Sequence, residues 1–249
     1  GIKVSQPGNA LEGETFLMRG LHGNTYTKIL INGNPIKPVV VQGMPIGAQI
    51  PIQQAERIEI IYGATGTLYG ADAAAGVINI VLEETERPVY TQANLTVGSK
   101  EYTNLDISFG GRLGKQEKTL HYLLYGSYTF RDDLKTQHKN EDLYNPQRYF
   151  NGNLDYTNLQ NYVSIAGEPL INNLPHQSRL VGINLTYRAM TLSAEAMYRR
   201  DHSSVGLNPL AVSYTNPLNY IGERIINTNF TLKKDYSRFG FDLRVGYLQ

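Results

Sequence analysis

Cysteine and tryptophan are both absent from the 249-residue chain. Without thiols there can be no disulfide framework, no thiol nucleophile and no cysteine metal site. Charge is balanced, with 23 Lys and Arg against 22 Asp and Glu, so net charge gives no reason to expect nucleic acid or an anionic surface as partner. The sequence also lacks an unbroken apolar run of about 18 residues, the length a spanning helix needs, which excludes a helical membrane protein. A mean hydropathy of −0.33 leaves a transmembrane β-barrel open, because alternating lipid-facing and lumen-facing residues average to a soluble-looking composition. Neither HExxH nor GxSxG occurs, and no Gly-Lys-Ser or Gly-Lys-Thr follows a glycine loop. No catalytic carboxylate pair can be defended, so the chain is read as not an enzyme and as needing no cofactor. His121, His176 and His202 lack metal-ligand spacing, and His22 and His138 are isolated, so no metal site is expected.

What is present divides near residue 87. Up to Val81, apolar runs such as Lys28-Ile-Leu-Ile31, Arg57-Ile-Glu-Ile-Ile61 and Val77-Ile-Asn-Ile-Val81 read as short buried strands. Asn32-Gly33, Gly63, Gly66, Gly70 and Gly76 punctuate them as turns, which predicts compact α+β packing. The charged, Pro-ended stretch from Glu83 to Pro88 then stops strand formation and sets the boundary between residues 1–87 and 88–249.

After Pro88 the period becomes two. Val89, Thr91, Ala93, Leu95 and Val97 alternate with Tyr90, Gln92, Asn94 and Thr96, and six later segments repeat the pattern, for seven strands in all. Their connections alternate in length: short at Gly114 to Lys118, Ala189-Met190 and Lys234 to Ser237, long at Asp132 to Gln177 and Ser203 to Gly222. Outer-membrane barrels have tight periplasmic turns and long external loops. A soluble antiparallel sheet would explain the period but not that alternation. The 18 Tyr residues supply amphipathic rings that suit a membrane interface.

Four blocks in order, Phe16-Leu-Met-Arg-Gly20, Ile29-Leu-Ile-Asn-Gly33, Ala55-Glu-Arg-Ile-Glu-Ile-Ile-Tyr-Gly63 and LYGADAAAGVINI from Leu68 to Ile80, with Gln6-Pro-Gly8 upstream, resemble the plug of TonB-dependent outer-membrane receptors. The sequence departs from that pattern at Met18, where the family usually has Ile, at Asn32, where Asp is common, and at Tyr62-Gly63-Ala64, where Arg-Gly-Pro is typical. A competing reading of Gly63-Ala-Thr-Gly66 as a dinucleotide-binding turn fails on spacing. Only Thr67 to Gly76 precedes the next strand, too few residues for a helical crossover.

The resemblance implies an α+β plug domain followed by antiparallel transmembrane β-barrel strands. Seven strands cannot close a barrel, and a plug of about 85 residues has a radius of gyration near 12 Å, too large for an eight-stranded lumen. The chain is therefore expected to be the N-terminal fragment of a plugged, 22-stranded barrel. By resemblance it imports a scarce nutrient such as a siderophore, haem or cobalamin across the outer membrane of a Gram-negative bacterium. Its partners would be TonB, through a segment expected ahead of Gly1, the small-molecule ligand and outer-membrane lipid, with no nucleic acid. The alternative is a non-transporting protein of the same fold that acts in adhesion, signalling or a surface or secretion complex. Candidate ligand contacts are Asn34, Lys37, Gln42 and Met44 in the loop from Asn34 to Gln49, and Tyr144, Tyr149, Phe150 and Tyr156 in the first long external loop. Arg19, Glu56, Arg57 and Glu59 are candidates for reversible plug-to-barrel locking.

Overall fold

The computed structural model describes residues 2–5, 15–22, 24–37, 46–63, 65–99, 101–115, 118–132, 175–202 and 220–249. Strands β1 (Ile2–Ser5), β2 (Thr15–Met18) and β3 (Leu21–His22) form a small antiparallel sheet. A second sheet contains β4 (Thr27–Ile31), β5 (Asn34–Pro35), β6 (Ala55–Tyr62) and β7 (Gly76–Leu82), in the order β5-β4-β7-β6. Its β4–β7 pair is parallel and the others antiparallel. Between β4 and β5, Asn32 (φ 48°) and Gly33 (φ 78°) both have positive φ. That combination suits a two-residue hairpin turn and explains the Asn-Gly dipeptide.

Helix is scarce among the described residues of this N-terminal body: a single turn α1 (Gly66–Tyr69) and two 3-10 segments, Asn24–Tyr26 and Ala71–Ala73. Gly66, Gly70 and Gly76 make a longer helix there unfavourable. Because β6 and β7 are antiparallel, the turn between them cannot be a parallel βαβ dinucleotide crossover.

The sequence predicts a buried run from Arg57 to Ile61; among the described residues β6 is the edge of its sheet, and Ile58 (44%) and Ile60 (42%) are exposed. A strand with one neighbour leaves its faces open to whatever packs on that edge.

The remaining seven strands form one antiparallel meander: β8 (Tyr90–Val97), β9 (Thr103–Leu113), β10 (Leu120–Asp132), β11 (Pro175–Tyr187), β12 (Met190–His202), β13 (Tyr220–Asp235) and β14 (Gly240–Leu248). Each pairs with its sequence neighbours, matching the strand count read from periodicity. The pairing runs further than the sequence suggested, since β11 is already in register with β10 at Pro175. One face carries exposed Leu95, Ile107, Phe109, Leu124, Val181, Phe241 and Val245. The other buries Asp106, Ser108, Thr129, Ser178, Asn184, Ser193 and Asn227. An apolar outer face this extensive would be intolerable in water and suits lipid.

Candidate functional site: the seat of the N-terminal body

The inner face of a large barrel is ordinarily polar. Here Leu123, Leu180, Met197 and Ile225 also point inward, each at most 2% exposed. Register groups three of them: Leu180 pairs with Met197, and Met197 with Ile225, in one row across β11, β12 and β13, while Leu123 of β10 pairs with Asn184. Ile29 and Ile31 of β4, Ile80 and Leu82 of β7, and Ile36, Ile46 and Ile50 from the segments around the long loop join them in one buried cluster. The N-terminal body is thus seated on the wall by apolar contact, at about 1.5–3 kcal/mol for each side chain fully buried. Tyr125 extends the seat. It lies opposite Gly182, where any Cβ would overlap its ring, and its hydroxyl donates to Glu195 Oε1 at 3.3 Å.

Polar contacts surround this patch. At the Asn32–Gly33 turn, the Leu82 amide donates to Asn32 Oδ1 (2.9 Å) and the Gly33 amide to Asn79 Oδ1 (2.8 Å), which fixes the turn to β7. The wall then grips it: Asn32 Nδ2 lies 3.5 Å from Asn184 Oδ1, and Arg244 Nη1 of β14 donates to the Gly33 carbonyl at 3.0 Å. Asp242 holds that arginine along one edge of its guanidinium, Nε donating to Oδ1 at 3.1 Å and Nη2 to Oδ2 at 3.0 Å, which leaves Nη1 for the Gly33 carbonyl. A Cβ at residue 33 would stand 2.9 Å from Arg244 Nη1, so the close approach and the positive φ both favour glycine.

The connector after β7 is tied to the wall as well. Tyr90 donates to Glu83 (3.1 Å), Thr186 to Glu84 (2.7 Å), the Arg112 amide to the Arg87 carbonyl (3.0 Å), and His121 Nδ1 lies 3.3 Å from the Thr85 carbonyl. At the end of the wall nearer the long connections, buried Arg199 pairs with Asp201 at 2.7 Å, and His176 contacts the same carboxylate. Residues 46–50 pack there: a Cβ on Gly47 would lie 3.4 Å from Arg199 Cδ.

The proposed locking residues lie elsewhere. Arg19 occupies the β2–β3 turn with φ 53°, its guanidinium near Gly63. On β6, Arg57 bonds Glu59 (2.9 Å) and Glu56 (3.3 Å), and Glu59 accepts from Asn79 (2.9 Å). The Asn79 amide, then Arg57, hold the Glu59 carboxyl below its ordinary range. The hydrogen bond to Glu59 raises Arg57 above its own. Of the ligand candidates, Asn34 is buried in β5, and Lys37 pairs with Asp72 at 3.0 Å. Gln42, Met44, Tyr144, Tyr149, Phe150 and Tyr156 lie outside the described residues.

Sequence reasoning missed Leu123, Leu180, Met197, Ile225 and Arg244 as the seat. A signal existed in the apolar doublets Leu123-Leu124, Leu180-Val181, Ala196-Met197 and Ile225-Ile226, which break alternation on neighbouring strands. Arg244 carries no such mark.

Residues 1–77 match the family model described as TonB-dependent Receptor Plug Domain. An iron-regulated outer membrane virulence protein of Vibrio cholerae is 27% identical over 168 residues, covering 62% of this chain and 24% of that protein. The vitamin B12 transporter BtuB of the same species is 37% identical over 68 residues, 27% of this chain and 11% of that protein. Among solved structures, the ferric yersiniabactin uptake receptor FyuA from Yersinia pestis matches with a TM-score of 0.66 at 17% identity, over 100% of this chain and 36% of that one. The ferric enterobactin receptor PfeA matches with a TM-score of 0.63 at 18% identity, over 100% and 37%. The chain thus spans about a third of the solved receptors whose fold it shares and a quarter or less of these curated relatives.

Proposed function

We propose that this chain, which belongs to the TonB-dependent receptor family and lies in the outer membrane of a Gram-negative bacterium, serves energy-driven uptake of a scarce nutrient in which residues 1–87 plug a lumen walled by residues 88–249 and further strands. The observation that carries this reading is the seat itself. A body held by one apolar row and a ring of single hydrogen bonds can stay closed at rest and yield to a modest pull. The names of similar proteins point to ferric siderophores and vitamin B12 as ligand classes, and TonB would supply the pull.

Arg19, Glu56, Arg57 and Glu59 keep their assignment as locking residues, supported by the open edge of β6, which offers exposed charge and apolar surface to wall strands beyond this chain. Ligand contact is assigned to Asn34, Lys37, Gln42 and Met44 of the loop after β4, and to Tyr144, Tyr149, Phe150 and Tyr156 of the first long connection of the wall.

The test is uptake of radiolabelled ferric siderophores, haem and cobalamin by cells with and without the full-length gene, in TonB-positive and TonB-negative backgrounds. Uptake of one ligand that needs both genes is expected. Unchanged uptake of every ligand in the deletion strain would overturn transport and favour a role in adhesion, signalling or a surface complex.

A further inference from the structure

On the outward face of the wall, the register sets Tyr128 beside Arg179, Arg179 beside Tyr198 and Tyr198 beside Arg224. The next outward row toward the long connections contains Gln177, Arg200 and Gly222. The Arg179 guanidinium lies 5.8 Å from the Tyr128 ring centroid and 5.9 Å from that of Tyr198, and Arg200 lies 3.8 Å over the Tyr220 ring. In the opposite direction the outward rows turn apolar or small: Gly126, Val181, Ala196 and Ile226, then Leu124, Ile183, Ala194 and Thr228. The arginines therefore sit where the lipid-facing band ends.

Arg179 and Arg224 are exposed, and among the described residues no ion pair engages either. Asp132, Asp201 and Glu223, the acidic side chains closest in register, are buried or half-buried, and Asp201 is committed to Arg199 and His176 on the inner face. An arginine turned toward lipid is tolerated at the interface because its long stem carries the charge to the headgroup level. The guanidinium fork matches phosphate oxygens two at a time and is weakly hydrated for a cation. Arg179 and Arg224 flank Tyr198 on three adjacent strands, so their Cα atoms stand about 10 Å apart at twice the strand spacing. Both side chains can close on one group held between them.

We propose that Arg179 and Arg224, with Tyr198 between them and the Arg200–Tyr220 pair above, form a binding site for a phosphate-bearing lipid headgroup of the outer leaflet. The long connections place this end of the wall outside the cell. Because the cluster faces away from the lumen, a solute passing through the barrel would not meet it. The tyrosine rings supply the amphipathic surface on which the glycerol or sugar portion rests.

The experiment uses the full-length receptor in zwitterionic detergent, with binding read by native mass spectrometry for three probes: phosphorylated lipid A, the same lipid stripped of phosphate, and inorganic phosphate. The wild type should hold the phosphorylated lipid about tenfold more tightly than the stripped one, and Arg179→Gln with Arg224→Gln should erase that preference. Inorganic phosphate at equal concentration should not displace the lipid. Equal binding of both lipids, equal binding by the double variant, or displacement by inorganic phosphate would each overturn the proposal. If the double variant fails to fold, as judged by heat-modifiable mobility, Arg224→Gln alone and the wild-type comparison of the lipids decide. Nutrient uptake should be unchanged in a folded variant, so this site and the transport reading fail separately.

Discussion

Replacing Arg244 with alanine removes the guanidinium that β14 lends to the Asn32–Gly33 turn. A hydrogen bond from a charged donor contributes about 1.5–3 kcal/mol when well shielded. Arg244 is 48% and Asp242 40% exposed, so water screens the contact and about 0.5–1 kcal/mol is the better figure. That corresponds to a roughly two- to fivefold rise in the population with this corner of the plug released. Amide hydrogen exchange on the full-length receptor, followed in peptides covering residues 29–35, reads the change directly. Exchange should quicken by that factor in Arg244→Ala at low salt. The wild type should approach the variant in about 1 M salt, where the Debye length falls to about 3 Å. Identical exchange in the two proteins at low salt would refute the clamp. An acceleration that salt does not alter would assign the effect to packing of the arginine stem instead.

Met197→Ala should empty the centre of the apolar row and cost about 2–5 kcal/mol, seen as an earlier thermal transition of the plug; an unchanged transition would show that the row does not hold it. Gly182→Val should collide with the Tyr125 ring and destabilise by about 1–3 kcal/mol in the same assay. A neutral result would mean the ring has another place to go. Because the folded pKa of Glu59 lies below its unfolded value of about 4.3, its contribution to stability is full above that pH and is lost as pH falls through the folded value. Glu59→Gln should flatten that part of the acid profile. Titration by NMR in an Asn79→Ala variant should move the Glu59 midpoint upward, and no movement would discard the amide as main cause.

The wall was legible because its physics is local. Alternation along one strand reports which side faces lipid, and Leu124 or Val181 needs no knowledge of its neighbours to be placed outward. The Asn32-Gly33 turn was legible for the same reason, since both residues tolerate positive φ. The seat was not, because Leu180, Met197 and Ile225 lie far apart in sequence and become a row only once three strands are in register. Each is a single apolar residue on a polar face, which periodicity averages away. The long strand β6 differs in another way. Ile58 and Ile60 have core-like chemistry, yet among the described residues sheet order leaves them at an edge whose cover this chain does not supply. Arg244 is recognisable only through its partner, a backbone carbonyl that any residue could have offered.

The stretch between β7 and β8, residues 83–89, also acts as a leash. Seven residues drawn straight span about 25 Å, close to the height of the apolar band of such a barrel. Under the proposed transport reading, a pull ahead of β1 would be resisted at the far end of the N-terminal body by this short cord, which Glu83, Glu84, Thr85 and Arg87 anchor to the wall. β7 would then stay moored while strands nearer the N-terminus moved.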